Sequence, residues 1–162
     1  MTGASPSILL LIPAYNEASR IGPVLETYAL YFREHHPDNF HLVVVLNGCT
    51  DDTLGVVERA SGQHPEISHV NIPEPIGKGG ALIEGLKLAP KADLVGYVDA
   101  DGATPPAAFD DLVTECAEAD CVIGSRWMAG SVLRQEQTFR RQFVSRVFHA
   151  IVQAFFWMNI RD

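Results

Sequence analysis

Two carboxylates, Asp99 and Asp101, stand one residue apart directly after the apolar run 94–98 (LVGYV). Such a run reads as a strand that dries its own end, and two anions so close repel unless a cation is present. A divalent ion held by one or two carboxylates and completed by substrate phosphates is a usual solution. Taken alone, the pair equally fits a solvated turn in which Asp101-Gly102 supplies only turn chemistry. The strand before it and three further loops favour the cation.

The first of those loops is Ile76-Gly77-Lys78-Gly79-Gly80-Ala81, glycine-rich and placed at a helix start. Backbone amides and the helix dipole favour anions there, and Lys78 adds a mobile positive charge. It is neither a P-loop nor a dinucleotide fingerprint, because the lysine is not followed by Ser or Thr and Leu82 takes the last glycine position. The second, Tyr15-Asn16-Glu17, offers a flat stacking face and a carboxylate able to accept hydrogen bonds from a sugar or base, although an acid at a helix start is favoured in any case. The third, Asn47-Gly48, reads equally well as a plain turn. The six histidines show no metal-ligand spacing, and no Gly-x-Ser-x-Gly elbow marks a serine hydrolase.

These loops need a frame. Residues 8–12 (ILLLI) form a continuous apolar run, as in a strand covered on both faces. A helix to about residue 36 follows, with Pro23 near its start. Residues 41–46 form a second strand, and Thr50 with Asp51 and Asp52 caps a helix to about residue 62. Further strands are expected at 70–72, 94–98 and 121–124, with helices at 81–89 and from Pro105-Pro106 to about 119. Strand and helix alternating at this spacing predict an α/β fold, a mainly parallel sheet with helices on both faces. Ligands of such sheets bind beyond the carboxyl ends of the strands, where all four loops fall.

The 162 residues fit one ordinary domain, and 47% hydrophobic residues suffice for a core. The net charge of −8 argues against general nucleic-acid binding. The charge is uneven: residues 1–125 carry six basic and eighteen acidic side chains, whereas residues 126–162 carry six basic and two acidic. Three cysteines (Cys49, Cys116, Cys121) without C-x-x-C spacing suggest neither a disulfide framework nor a zinc site, and a reducing compartment. No signal-like N-terminus and no apolar run of about 18 residues is present. A cytoplasmic location is expected.

In order, the motifs resemble those of the family-2 glycosyltransferases, with the nucleotide-diphospho-sugar-binding GT-A fold, Rossmann-like in its sheet. Ile12-Pro13-Ala14-Tyr15-Asn16-Glu17 looks like that family's opening strand and loop, Asn47-Gly48-Cys49-Thr50-Asp51 sits at its Asp-Asp-Gly-Ser-Thr-Asp segment, and Asp99-Ala100-Asp101 matches its D-x-D. Gly77-Lys78-Gly79-Gly80-Ala81, Asp99-Ala100-Asp101-Gly102-Ala103-Thr104 and Gly124-Ser125-Arg126 are similar to the dolichyl-phosphate β-glucosyltransferase branch, and Ile160-Arg161-Asp162 to the start of its next acceptor-side motif. The resemblance implies that Pro13, Tyr15 and Glu17 line a base and ribose pocket. Asn47 stands at a base-reading position usually held by Asp; there Asn can donate where a carboxylate only accepts. Lys78 would approach the diphosphate, Asp99 would contact the nucleotide side, and Asp101, with Asp99, would hold Mg²⁺ or Mn²⁺. Ala103 replaces a Gln that helps with the metal in some relatives. Arg126 would face the donor–acceptor region as a catalytic residue.

The implied reaction moves a hexose, glucose from UDP-glucose in this branch, onto a polyprenyl or dolichyl phosphate with inversion. An anionic acceptor needs no strong general base, in keeping with the absence of an Asp–His or Glu–His pair; Asp162 stays a candidate. Residues 134–160 support that acceptor independently. Phe143, Val147, Ile151, Ala154, Phe155 and Met158 recur at helical spacing, with Arg140, Arg141 and Arg146 among the polar positions. Such a basic amphipathic helix suits a membrane interface, with Arg140 and Arg141 on a phosphate head group, and equally suits core packing. A single domain over residues 1–162 is expected, peripheral at the cytoplasmic face of a membrane, with the donor half complete and the acceptor half, from about 126, cut short. The alternatives are a family-2 transferase with a saccharide or other acceptor, and a nucleotide-sugar-binding or membrane-docking module without turnover. A nucleotidyltransferase is disfavoured because Pro13–Glu17 occupies the place of its glycine signature.

Overall fold

The computed structural model describes residues 5–87, 91–117 and 119–124. The chain divides into two compact units, Met1–Ala117 and Glu118–Asp162, and every regular element described lies in the first. In chain order these are β1 (Ile8–Ala14), α1 (Ile21–His35), β2 (Phe40–Asn47), α2 (Thr53–Gln63), β3 (Ile67–Ile72), α3 (Gly77–Leu86), β4 (Leu94–Tyr97) and α4 (Pro106–Glu115). The strands form a parallel sheet in the order β3-β2-β1-β4.

The apolar runs explain the layering. In β1, Ile8, Leu10, Ile12 and Ala14 face a core shared with α1, α2 and α4, while Leu9 and Leu11 face a second core capped by Ala81 of α3. With both faces dry, the run has no polar alternation. On α1, Ile21, Leu25, Tyr28, Ala29 and Phe32 form the buried stripe expected at helical spacing. Phe32 stacks on Phe40 with ring centroids 4.1 Å apart, tying α1 to the start of β2. This is the α/β arrangement with helices on both faces that the alternating pattern predicts.

Three expectations need correction. The helix after β2 starts at Thr53 with Asp52 before it, and Thr50 does not cap it, because the Thr50 hydroxyl and amide are engaged by Asn16 instead. The glycine segment is itself the first turn of α3, which begins at Gly77 rather than Ala81. Glycines disfavour helix locally, but Asn47 fixes the turn before it and Ala81 is fully buried against the sheet. Finally, residues 121–124 form no strand: the run is short, it ends in glycine, and Cys121 and Ile123 are exposed.

Candidate functional site

Parallel pairing brings the carboxyl ends of β1, β2 and β4 to one rim. Ala14 is level with Leu46 and Asn47 with Ile72. β4 ends opposite Leu11, but the Val98 amide still donates to the Leu11 carbonyl at 3.1 Å, so Asp99 emerges where the chain leaves the sheet. The sequence order turns back between β1 and β4, the place where open α/β sheets leave a crevice. A cleft of about 540 Å³ lies there, lined by Pro13, Ala14, Tyr15, Glu17, Arg20, Asn47, Pro75, Gly77, Lys78, Asp99, Ala100 and Asp101. That volume is within the ordinary range for small-molecule sites.

Each wall has a local cause. Asn16 adopts a left-handed backbone (φ 54°), a conformation Asn tolerates better than most residues. Its Oδ1 accepts the amide of Thr50 at 2.7 Å, and its Nδ2 lies 3.1 Å from the Thr50 hydroxyl, so the β1–α1 and β2–α2 loops are stapled together. Below them the Thr53 hydroxyl, wholly buried, donates to Asp51 and accepts the Glu17 amide at 2.8 Å. The Thr53 hydroxyl and the amides of Ala18 and Thr53 hold the Asp51 carboxyl below its usual range, with partial desolvation opposing them. Gly48 has φ +66°, and a Cβ there would lie 2.8 Å from the Pro75 nitrogen, so only glycine lets these loops close.

The candidate side chains fall into three groups. Tyr15 is 55% exposed and presents its ring to the cleft, whereas Asn47 is 6% exposed and anchors the start of α3 by accepting the Ile76 amide at 2.7 Å. Lys78 reaches Asp99 with Nζ 2.5 Å from Oδ1 and lies 5.5 Å from the centre of the Tyr97 ring. Asp101, itself exposed, accepts the Ala103 amide on Oδ1 at 3.0 Å, and no described residue bonds its second oxygen. On the far side the loop is held by the Tyr28 hydroxyl, donating to the Thr104 carbonyl at 3.0 Å; burial pushes that phenol well above its ordinary range.

Pro13, Tyr15, Glu17, Asn47, Lys78, Asp99 and Asp101 are thus brought to one cleft. Arg126, Arg140 and Arg141 lie outside the described residues. Glu17 is not a free acceptor: Arg20 grips both its oxygens at 2.8 Å, so a ligand meets an ion pair there. Arg20 was not singled out by the sequence, and its spacing of three from Glu17 is the signal that was available. Asn16, Thr53 and Pro75 also shape the site and carried no separate signal.

No group of three or more metal-ligating side chains occurs among the described residues. A divalent cation with Asp99 and Asp101 as its protein ligands, completed by water and phosphate oxygens, fits this donor set; a cation needing an all-protein cage does not. The cleft therefore combines a flat apolar wall, a buried amide, a cation and paired carboxylates, the equipment for a nucleoside diphosphate on a Rossmann-like sheet.

The model of glycosyl transferase family 2 matches residues 9–161, and the chain belongs to that family. It is 30% identical over 164 residues to glycosyltransferase AglD of Haloferax volcanii, covering 99% of this chain and 26% of that protein. It is 32% identical over 152 residues to dolichyl-phosphate beta-glucosyltransferase ALG5C of Trichomonas vaginalis, covering 88% and 45%. Among solved structures, the mannosyltransferase PcManGT of Pyrobaculum calidifontis, in complex with GDP-Man and Mn²⁺, aligns with TM-score 0.63 at 28% identity, over 76% of this chain and 37% of that one. Glucosyl-3-phosphoglycerate synthase of Mycobacterium tuberculosis aligns over 92% of this chain and 51% of that one with TM-score 0.57 at 22% identity, which supports the GT-A fold alone. The chain spans between a quarter and a half of these two curated relatives.

Proposed function

We propose that residues 1–117 form the donor-binding part of an inverting, metal-dependent hexosyltransferase that uses a polyprenyl or dolichyl phosphate as acceptor. The observation that carries this reading is the convergence of Tyr15, Asn47, Lys78, Asp99 and Asp101 on one cleft at the strand ends. UDP-glucose is the favoured donor, from the dolichyl-phosphate beta-glucosyltransferases among the relatives. The GDP-Man and Mn²⁺ bound to PcManGT support the nucleotide-sugar class and the cation.

In this mechanism the base lies against Tyr15 and the ribose near the Glu17–Arg20 pair, with the diphosphate over the start of α3. A phosphate oxygen of the acceptor attacks the anomeric carbon as the bond from that carbon to the diphosphate oxygen breaks, and the nucleoside diphosphate leaves. The attacking oxygen is already anionic near pH 7, so no proton need be removed. Mg²⁺ or Mn²⁺, held by Asp101 and Asp99, would supply charge stabilisation to the leaving diphosphate. Lys78 adds a positive charge on the same side, strongest in effect as negative charge accumulates in the transition state. Arg126 would face the donor–acceptor region, and Arg140 with Arg141 would bind the acceptor's head group at a membrane surface on the cytoplasmic side. Among the described residues no helix is long and apolar enough to cross a membrane.

Calorimetric titration of UDP and GDP, each with Mn²⁺ and with chelator, tests the reading. Metal-dependent preference for UDP supports the glucosyl donor, and preference for GDP moves the assignment toward mannosyl transfer. Binding of neither overturns a donor site in this chain.

A further inference from the structure

We infer that Tyr28 is a positioning residue for the cation site: its buried hydroxyl fixes the loop that carries Asp101. The inference rests on the metal-dependent reading of the cleft. It adds to that reading a side chain that touches neither cation nor nucleotide.

Tyr28 lies midway along α1, 1% exposed, with its ring against Phe32 of the same helix and Phe109 of α4. A phenylalanine would fill that space equally well, without a hydroxyl that is costly to bury unpaired. What the hydroxyl adds is a bond to the Thr104 carbonyl at 3.0 Å, three residues beyond Asp101. Burial disfavours the phenolate, so the group stays a donor.

The loop depends on that donor. Asp101, Gly102 and Ala103 are exposed. Pro105 and Pro106, which follow, have no amide hydrogen to give. Among the described residues, the Tyr28 bond is the one hydrogen bond that ties residues 100–104 to another element. The bond from the Ala103 amide to Asp101 is internal, so it orients the carboxylate relative to the loop but not relative to the cleft. Gly102 adds a second point of support on α1. It approaches Val24, one turn before Tyr28, so closely that a Cβ there would lie 3.2 Å from Val24 Cγ2.

Two features make the placement of Asp101 matter. No third described ligand joins Asp99 and Asp101, and Asp99 is shared with Lys78. With so few protein ligands, a displaced Asp101 is not compensated by others. The second feature is the course of α1. The Glu17 carbonyl accepts the amides of Arg20 and Ile21 at 2.9 Å, so the helix starts directly from the Glu17–Arg20 pair. Tyr28 follows two turns on. One rigid helix thus sets the spacing between the end of the cleft assigned to the nucleoside and the end assigned to the cation.

Tyr28→Phe removes the hydroxyl and keeps the ring. Calorimetric titration of UDP and GDP, each with Mn²⁺ and with chelator, should show the affinity gained from Mn²⁺ reduced by about tenfold, the lower end of what residues holding metal ligands in place contribute. Affinity in chelator should be unchanged. Tyr31→Phe is the control, because its hydroxyl donates to Asp110 Oδ2 at 3.0 Å and ties α1 to α4 beyond the loop. That variant should keep the full gain from Mn²⁺. An equal loss in both variants, or an equal loss with chelator, would make Tyr28 a general support of the fold and overturn the inference. An undiminished gain in Tyr28→Phe would overturn it while leaving the donor site intact. Failure of the unmodified chain to bind either nucleotide, or binding indifferent to Mn²⁺, would overturn the underlying reading and this inference with it.

Discussion

Lys78 and Asp99 neutralise one another across the mouth of the cleft, with Nζ 2.5 Å from Oδ1 and Tyr97 beneath the ammonium. Both side chains are more than half exposed, so the pair contributes little to folding. Its consequence is for binding. On the proposed reading, a diphosphate and a cation arriving together would give each partner a new counter-charge, the lysine turning to phosphate and the carboxylate to metal. Lys78→Ala should weaken UDP by about tenfold or more, leave uridine nearly unchanged, and leave stability within about 0.5 kcal/mol. Equal losses for UDP and uridine in calorimetry would refute a phosphate contact.

Asp101 has one oxygen committed to the Ala103 amide, and no described residue bonds the other. Asp101→Asn preserves that internal bond while removing the charge. The expected result is loss of the increment in UDP affinity that Mn²⁺ confers, with the metal-free affinity retained. Mn²⁺-dependent affinity equal to that of the unmodified chain would remove Asp101 from the metal site.

Arg140 and Arg141 belong to the basic end of the chain, where residues 126–162 carry six basic and two acidic side chains. If these arginines face lipid head groups, replacing both by Glu should release the protein from vesicles containing anionic lipid in a flotation assay. Each basic residue near such a surface contributes about 1 kcal/mol, so reversing two charges should lower binding more than tenfold. Flotation unaffected by the change would assign the segment to internal packing.

Asn16 makes the staple to Thr50 from a left-handed backbone. Asn16→Ala loses the side-chain bonds and keeps an unfavourable φ, so a cost of about 2–3 kcal/mol in urea unfolding is expected. Asn16→Gly removes the backbone strain and should cost less. A cost below about 0.5 kcal/mol for Asn16→Ala would show that the loops are held without it.

What the sequence disclosed follows from how local each signal is. The run at 8–12 was readable as a buried strand because both its faces are dry, and Asp99 and Asp101 were readable because a strand delivers them to its own end. The start of α3 was not readable: three glycines in four residues argue locally for a loop, and the contacts that override them come from Asn47, 29 positions away, and from the sheet. Glu17 lines the cleft, but its pairing with Arg20 depends on a turn whose geometry no composition reveals.

Asp51 and Asp93 should both make the domain sensitive to acid, but only one should couple that sensitivity to the cleft. Hydrogen bonds to Thr53 and Ala18 hold the Asp51 carboxyl below its ordinary value, and bonds from the Ser7 amide and hydroxyl do the same for Asp93. A carboxyl depressed by folding contributes stability that is present above the unfolded value, about 3.9, and is lost as pH falls from there through the folded value. Asp51→Asn and Asp93→Asn should therefore each destabilise at pH 7 and converge toward the unmodified protein below about pH 4. Ser7 and Asp93 sit at the amino-terminal rim of the sheet, away from the strand ends that carry the cleft, whereas Asp51 supports the Thr53 hydroxyl that holds the Glu17 amide. Asp51→Asn should weaken nucleotide binding at neutral pH, and Asp93→Asn should leave it unchanged. Urea unfolding at pH 7 and at a series of pH values falling below the unfolded carboxyl value, paired with UDP titration at pH 7, checks both; equal effects of the two variants on UDP would separate the Asp51 network from the cleft.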